Sequence, residues 1–340
     1  VKIRIIHWLV LTVTTSSNNQ TLKPLLTTGR YFRQKFGVSV FKVPVSIMGF
    51  TCPNIDGTSA RGGCIFCENE SFSPNIGVVT PPKRFRMNFQ TKDNPYLEDQ
   101  LKQLEEQVSE TKSKLIHKFK AKKFLIYFQS FTNTYAPFET LKALYDRALE
   151  FDDVAGLSIG TRTDAISDEV LDYLESKSHE KEIWVEYGVQ SSCDETLRAI
   201  NRGHDFANAK EGIERTKARG LKVCAHVIFG LPGESEAMML DTIKECVNMD
   251  VDAIKIHPLY VTKRTALAKK YIQGDFEPID EWTYVEILIK AIKMLPPHIV
   301  IQRVTAGIDD ESLLAPEWCR DFKRQKHLIT RELEKAGFDY

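Results

Sequence analysis

The chain has 340 residues, with 46 basic and 46 acidic side chains and a formal net charge of zero. That balance gives no global electrostatic case for nucleic acid, so any such binding has to come from local patches. Hydrophobic residues at 42% and charged residues at 27% describe a globular chain able to bury a large core, as two average domains or one larger α/β barrel.

Residues 1–20 open basic and turn apolar, somewhat like a signal peptide, but the run contains His7 and is too short to span a bilayer. They are expected to be a dispensable or mis-started extension, and no later stretch reads as transmembrane. A short amphipathic helix is expected over 30–36, followed by a strand in which Val43, Val45 and Ile47 alternate. Pro44 inside that run marks an edge strand. Residues 68–95 carry Pro74, Pro81, Pro82 and Pro95 and read as a covering loop. Leu97, Leu101, Leu104 and Val108 recur at helical spacing, and Leu115 and Phe119 continue the stripe.

Strands are then expected over 124–128, 154–159, 183–187, 223–229 and 253–257. Helices alternate with them: one opening at Pro137, one capped by Ser167 with Asp168 and Glu169 in its first turn, two at 195–200 and 207–219, and one through Met239, Ile243 and Val247. Gly220 ends the helix before it. Apolar strands alternating with amphipathic helices imply a parallel sheet with right-handed crossovers. The expected fold is α/β: a partial (β/α)6 TIM-like barrel over 21–262 and a short C-terminal α/β extension over 263–340 that closes it.

The chemistry concentrates in residues 50–67, a loop rich in Gly, Asn, Asp and Pro that follows the first strand. Cys52, Cys64 and Cys67 lie there, with eleven residues between the first two and two between the last two. Four thiolates would suit tetrahedral zinc or a fully ligated iron–sulfur cluster; three leave one iron open to a reactive ligand. A zinc half-site and a redox pair are the alternatives for Cys-x-x-Cys, although no His lies near Cys67 and no helix opens there. Seven cysteines at irregular spacing suit a reducing compartment rather than a disulfide framework. Cys193, Cys224, Cys246 and Cys319 are scattered and read as small apolar residues.

Polar residues gather at strand ends. Gln129, Ser130, Thr132 and Asn133 follow the second strand; Gly160, Thr161, Arg162 and Asp164 follow the third; Glu186, Gly188 and Gln190 close the fourth. His226 lies in the fifth strand, and Lys255 and His257 in the sixth. In a parallel barrel these ends share one mouth, where ligands bind.

Seven segments carry a family resemblance. They are Gly-Phe-Thr-Cys-Pro-Asn-Ile-Asp-Gly-Thr, Arg-Gly-Gly-Cys-Ile-Phe-Cys, and Tyr-Phe-Gln-Ser-Phe-Thr-Asn-Thr-Tyr-Ala-Pro at 127–137. Ser-Ile-Gly-Thr-Arg at 158–162, Glu-Tyr-Gly-Val-Gln at 186–190, Ile-Asn-Arg-Gly-His at 200–204 and Phe-Gly-Leu-Pro-Gly at 229–233 complete the set. The chain resembles a radical S-adenosylmethionine (SAM) enzyme of the YhcC-like family, related to the Elongator catalytic subunit, over about residues 28–335. The long first cysteine gap departs from the common radical SAM pattern and matches this subfamily.

The resemblance implies that Cys52, Cys64 and Cys67 hold a 4Fe-4S cluster and that SAM takes the open iron. One electron, from a flavodoxin- or ferredoxin-like donor, would cleave SAM to methionine and a 5′-deoxyadenosyl radical that abstracts hydrogen from substrate. Phe66 matches the position that packs near adenine, and Gln190 and Arg202 resemble the pair that contacts ribose and carboxylate. Glu186 resembles another SAM-facing acid, His226 stands near where some relatives place a ribose ligand, and Gln129 joins the cofactor-binding set. Gly-Leu-Pro-Gly is read as a tight turn near adenine.

Elongator-like relatives act on the C5 substituent of wobble uridine in tRNA, so the resemblance implies a cytoplasmic enzyme acting there. These residues hold no counterpart of Elongator's acetyltransferase domain, which favours remodelling a pre-existing substituent. Two basic runs, Lys112 to Lys123 and Arg320 to Arg331, are candidate phosphate contacts, although a solvated helix face reads the same way. Lys263, Arg264, Thr265, Gln302 and Arg303 are candidate substrate contacts. Radical chemistry on a small metabolite or peptide, and a non-enzymatic iron–sulfur protein, remain the alternatives.

Overall fold

A computed structural model describes residues 22–68 and 85–340. The expected extension at 1–20 and most of the covering loop lie outside those residues. Seven parallel strands form one curled sheet: β2 (Val40–Val45), β3 (Lys123–Phe128), β4 (Val154–Thr161), β5 (Glu182–Gln190), β6 (Lys222–Phe229), β7 (Ala253–Pro258) and β9 (Val300–Arg303). Spatial order follows chain order, so each crossover links neighbours and the sheet bends into a half barrel. Two short pairings trim it. β1 (Lys23–Pro24) lies parallel to β11 (Phe338–Asp339), and β8 (Val261–Thr262) lies antiparallel to β10 (Leu313–Ala315).

The sequence reading counted six strands, and the structure adds β9 from the segment read as closing the barrel. Pro44 sits where its missing N–H is tolerated, because β2 is an edge of the sheet. Ser167 caps its helix as expected, accepting from the Val170 N–H at 3.3 Å, and Gly220 stops the preceding helix at φ 68°. No helix among the described residues is long and apolar enough to cross a membrane.

The sheet buries its outer face against the helices. Val43, Val45, Phe124, Ile126 and Phe128 join Leu104, Val108, Leu141 and Leu144 in the main core. The inner face is layered instead. At its base Leu125, Trp184, Cys224, Ala253 and Val300, one from each of five strands, close around Phe32 of the helix Thr28–Phe36. Alternate residues of a strand share a face, so β5 carries Trp184, Glu186, Gly188 and Gln190 upward along the barrel interior. That ladder runs from an apolar plug, through a charged layer, to an open mouth.

Candidate active site

A cavity of about 500 Å³ opens at the C-terminal ends of the strands, where a parallel barrel presents its loops. Cys52, Cys64, Cys67, Phe66, Gln129, Glu186, Gln190, Arg202 and His226 all line it. So do Tyr127, Thr132, Arg162, Lys255, His257 and Arg303.

The cysteine loop is held from two sides. Gly57, Gly62 and Gly63 turn it at φ 96°, 87° and 78°, values at which a side chain would be strained. The Ile65 N–H donates to Ile200 O at 3.0 Å, and Asn201 Nδ2 donates to Arg61 O at 2.9 Å and Gly63 O at 2.8 Å. Asn54 Nδ2 reaches back to Asn201 O and to Cys64 Sγ, the latter at 3.5 Å. Gly203 permits this approach, since a Cβ there would stand 2.0 Å from Asn54 Oδ1. The Ile-Asn-Arg-Gly-His segment is therefore a bracket for the loop. On the other side the Thr132 N–H donates to Thr51 O at 3.2 Å, and Tyr135 Oη donates to Thr58 Oγ1 at 2.7 Å.

Two guanidinium groups face the thiols. Arg162 Nη1 points at Cys52 Sγ and Arg202 Nη1 at Cys64 Sγ, each at 3.8 Å. Arg162 is fixed by a two-pronged pair with Asp164, at 2.7 and 2.6 Å, and that pair holds the Asp164 carboxyl below its usual range despite burial. Cys67 is the exposed member of the three. Its thiol is nevertheless pushed up to about 12, first by the protein packed around it and then by Cys64 and Cys52. A thiol so placed keeps its proton at neutral pH unless a metal takes that proton's position.

Three further observations fit a cluster and a polar ligand. Three thiols converge on one cavity with basic groups beside them, which suits an anionic thiolate cluster. Arg202 Nη2 donates to Gly188 O at 2.5 Å, yet its Nε has no hydrogen-bond partner among the described residues. Gln190 Oε1, on a residue held at φ 67°, is likewise buried and unmatched. A buried donor and acceptor without partners are costly unless a ligand satisfies them. Phe66 packs on the apolar cluster of Leu197, Ile200, Ile228 and Leu231, and also lines the cavity.

Below the thiols lies a charged layer. Glu186 accepts from Lys42 Nζ, Lys255 Nζ and Ser158 Oγ, and from His226 Nε2 at 2.8 Å. Burial alone would raise its carboxyl, but Lys255, Lys42 and His226 hold it well below the usual carboxylate range. Burial, then Lys255, depresses His226 to about 4 against the pull of Glu186, so the ring is neutral at pH 7. Lys42 and Lys255 also flank the Tyr127 ring, at 4.8 and 4.6 Å from its centroid. Glu186 thus lines the cavity with its carboxylate already committed to four donors.

Other sequence candidates separate. Asn133 Nδ2 binds Phe128 O and Gly160 O at 3.0 and 2.8 Å, a structural role. The Gly-Leu-Pro-Gly turn does not line the cavity; Ile228 before it does. Thr265 caps the helix Ala266–Gln273, and Arg264 pairs with Glu68. Gln302 accepts from Lys42 at 2.8 Å. Of the five suggested substrate contacts only Arg303 lines the cavity.

With this geometry in place, the kinship is direct. A radical SAM superfamily model matches residues 57–246, and a radical SAM C-terminal domain model matches 251–335. The chain belongs to the radical SAM superfamily and is a radical SAM enzyme, whose cofactors are a 4Fe-4S cluster and SAM. It is 35% identical to the protein YtqA of Bacillus subtilis, covering 94% of this chain and 92% of that one. It is 36% identical to YhcC of Escherichia coli over 85% of each chain. A tRNA uridine(34) acetyltransferase of Methanocaldococcus infernus is 33% identical over 127 residues, 36% of this chain and 24% of that protein. The solved structure of Elp3 from Methanocaldococcus infernus shares the fold at TM-score 0.55 and 19% identity, covering 88% of this chain and 64% of that one.

Proposed function

We propose that this enzyme modifies the C5 substituent of wobble uridine in tRNA, with Cys52, Cys64 and Cys67 as the cluster ligands. The observation that carries the cofactor assignment is the meeting of three thiols, two guanidiniums and two unmatched buried polar atoms in one cavity. When bound, the cluster and SAM supply reductive carbon–sulfur cleavage and hydrogen-atom abstraction, chemistry that belongs to the cofactor rather than to side chains.

The residues of the chain bind, orient and exclude water. Arg202 offers a planar fork suited to the SAM carboxylate, and Gln190 an amide for hydroxyl or amine. Phe66 supplies an apolar wall for adenine. Glu186 contacts no cofactor in this reading. It fixes two lysines beneath the cavity, and accepts from His226 Nε2. Arg162 sets a positive charge beside Cys52, which favours the reduced form of whatever those thiolates bind. Cys67, exposed where the others are not, marks the side from which a flavodoxin- or ferredoxin-like donor delivers its electron. Seven free cysteines suit a reducing cytoplasm as the working compartment.

Two relationships support tRNA: the partial identity to a tRNA uridine(34) acetyltransferase and the fold shared with Elp3. A second reading, a small metabolite or peptide, is favoured by the zero net charge. Release of 5′-deoxyadenosine from anaerobically reconstituted protein, with SAM and reductant, separates them. Release that rises sharply with tRNA from cells lacking this protein supports the tRNA reading. Release indifferent to tRNA overturns it in favour of the second. No release from protein with a correctly formed cluster would count against both.

A further inference from the structure

We infer that the first turns of the helix Phe322–Lys335 receive single-stranded RNA, with Phe322 as a stacking platform for a nucleobase at the rim of the cavity. The inference rests on the tRNA reading above and assigns the surface that would carry it.

Two contacts fix this helix to the cavity. Arg303, the last residue of β9, lines the cavity and lays its guanidinium 5.6 Å from the centroid of the Phe322 ring. Gln325 Nε2 donates to Ala306 O at 3.1 Å and to Trp318 O at 3.2 Å, and Ala306 is itself part of the cavity wall. Gln325, Leu328, Ile329 and Leu333 bury the inner face of the helix, so its outer face is held at the rim as a rigid ledge.

That ledge has an unusual composition for a solvated surface. Phe322 is 43% exposed, although Arg303 already covers part of it. Lys323, Lys326 and His327 stand exposed on the same two turns, and neither lysine has a carboxylate partner among the described residues. Farther along, Arg331 and Lys335 both pair with Glu332. Unneutralised charge is therefore confined to the end of the helix beside the cavity.

The other basic run does not compete for this role. It ends the helix Leu97–Phe119 and leads into the start of β3, whereas the cavity lies at the opposite, C-terminal ends of the strands. Two of its six lysines are also engaged, Lys112 with Asp153 and Lys114 with Glu110.

An exposed aromatic ring beside free cations is the combination that single-stranded nucleic-acid sites use, with the ring stacking a base and the cations tracking phosphates. A base that reacts inside a cavity has to leave its own stack, and a ring at the rim replaces part of the lost stacking. A small-molecule substrate would need neither the ring nor the lysines outside the cavity.

The test is fluorescence anisotropy of the cluster-loaded enzyme with a labelled anticodon stem-loop RNA carrying a wobble uridine. Phe322→Ala is expected to weaken binding by about tenfold, and Phe322→Trp to retain it. Replacing Lys323 and Lys326 together by Gln should lower the log–log salt slope by about two. A fully paired RNA of the same length should not sense Phe322. Thermal melts check that each variant folds, and Phe322, being exposed, leaves no core cavity when shortened. If the stem-loop binds and neither Phe322→Ala nor the lysine pair changes affinity or slope, the assigned surface is wrong while the tRNA reading stands. If the intact enzyme releases 5′-deoxyadenosine with another substrate yet binds no tRNA, both fall.

Discussion

Lys42 Nζ donates to Gln302 Oε1 at 2.8 Å, and this bond joins β2 to β9, the first and last strands of the parallel sheet. The half barrel is thus bridged across its open side within the charged layer, and the bridge depends on Glu186, which holds the same lysine.

Glu186→Gln should destabilise the fold strongly. The change leaves buried Lys255 and half-buried Lys42 without the carboxylate that pairs with both. Removing one member of a buried ionic cluster costs about 3–5 kcal/mol, which corresponds to a fall in melting temperature on the order of 10 °C. Calorimetry on the apo and loaded proteins would measure it. An unchanged melting temperature would mean that the lysines relax into solvent and the layer is not structural.

Stability should decline as pH falls from about 6.5 towards 4. His226 and His204 are each held at about 4, by burial first and then by Lys255 and Arg202 respectively. Because the folded values lie below the unfolded one, the unfolded chain binds more protons in that window. The contribution is complete above the unfolded value and is lost as pH drops through the folded one. Glu186, also depressed, adds a loss below the usual carboxylate range. Urea midpoints between pH 7.5 and 4.5 report this, and His226→Gln should flatten the upper part of the curve.

Gly203→Ala should empty the cluster site without unfolding the protein. The residue has φ 81°, and an added Cβ would meet Asn54 Oδ1 at 2.0 Å. Asn54 would have to leave Cys64 Sγ and Asn201 O. Iron content per chain after anaerobic reconstitution should fall to well under half, with far-ultraviolet circular dichroism unchanged. Full iron loading would show that the loop finds its geometry without the bracket.

Arg202→Ala should weaken SAM binding by about tenfold or more, and Arg202→Lys should not restore it, because an ammonium cannot reproduce the guanidinium fork. Calorimetric titration of SAM into cluster-loaded protein is the readout. Affinity that survives the substitution would favour an iron–sulfur protein that does not use this pair.

The strand–helix alternation was legible because each crossover helix carries its own apolar stripe, and the cysteine loop because three thiols stand close in sequence. Periodicity could not say which face of β2 looks into the barrel. Val43 and Val45 mark the strand, yet they pack outward under the helix Leu97–Phe119, while Lys42, unremarked in sequence, turns inward to Glu186. β9 was hidden by its length of four residues, too short for alternation to register. Arg162 was noticed only as a strand-end residue. Its approach to Cys52 spans 110 positions, and nothing local announces it. Glu186 was expected to face SAM; it lines the cavity, but its carboxylate is taken by lysines from β2 and β7 that could not be foreseen from its own strand.

The bracket formed by residues 200–204 has a thermodynamic consequence. Asn201 holds the cysteine loop, and its neighbour Arg202 carries the unmatched Nε in the cavity. Ordering either residue orders the other. Linkage is reciprocal, so whatever tightening metal loading gives to ligand affinity, the ligand must return to metal retention by the same factor. The enzyme should then lose iron to a chelator more slowly when its cosubstrate is present, a kinetic protection that the three thiols alone would not provide.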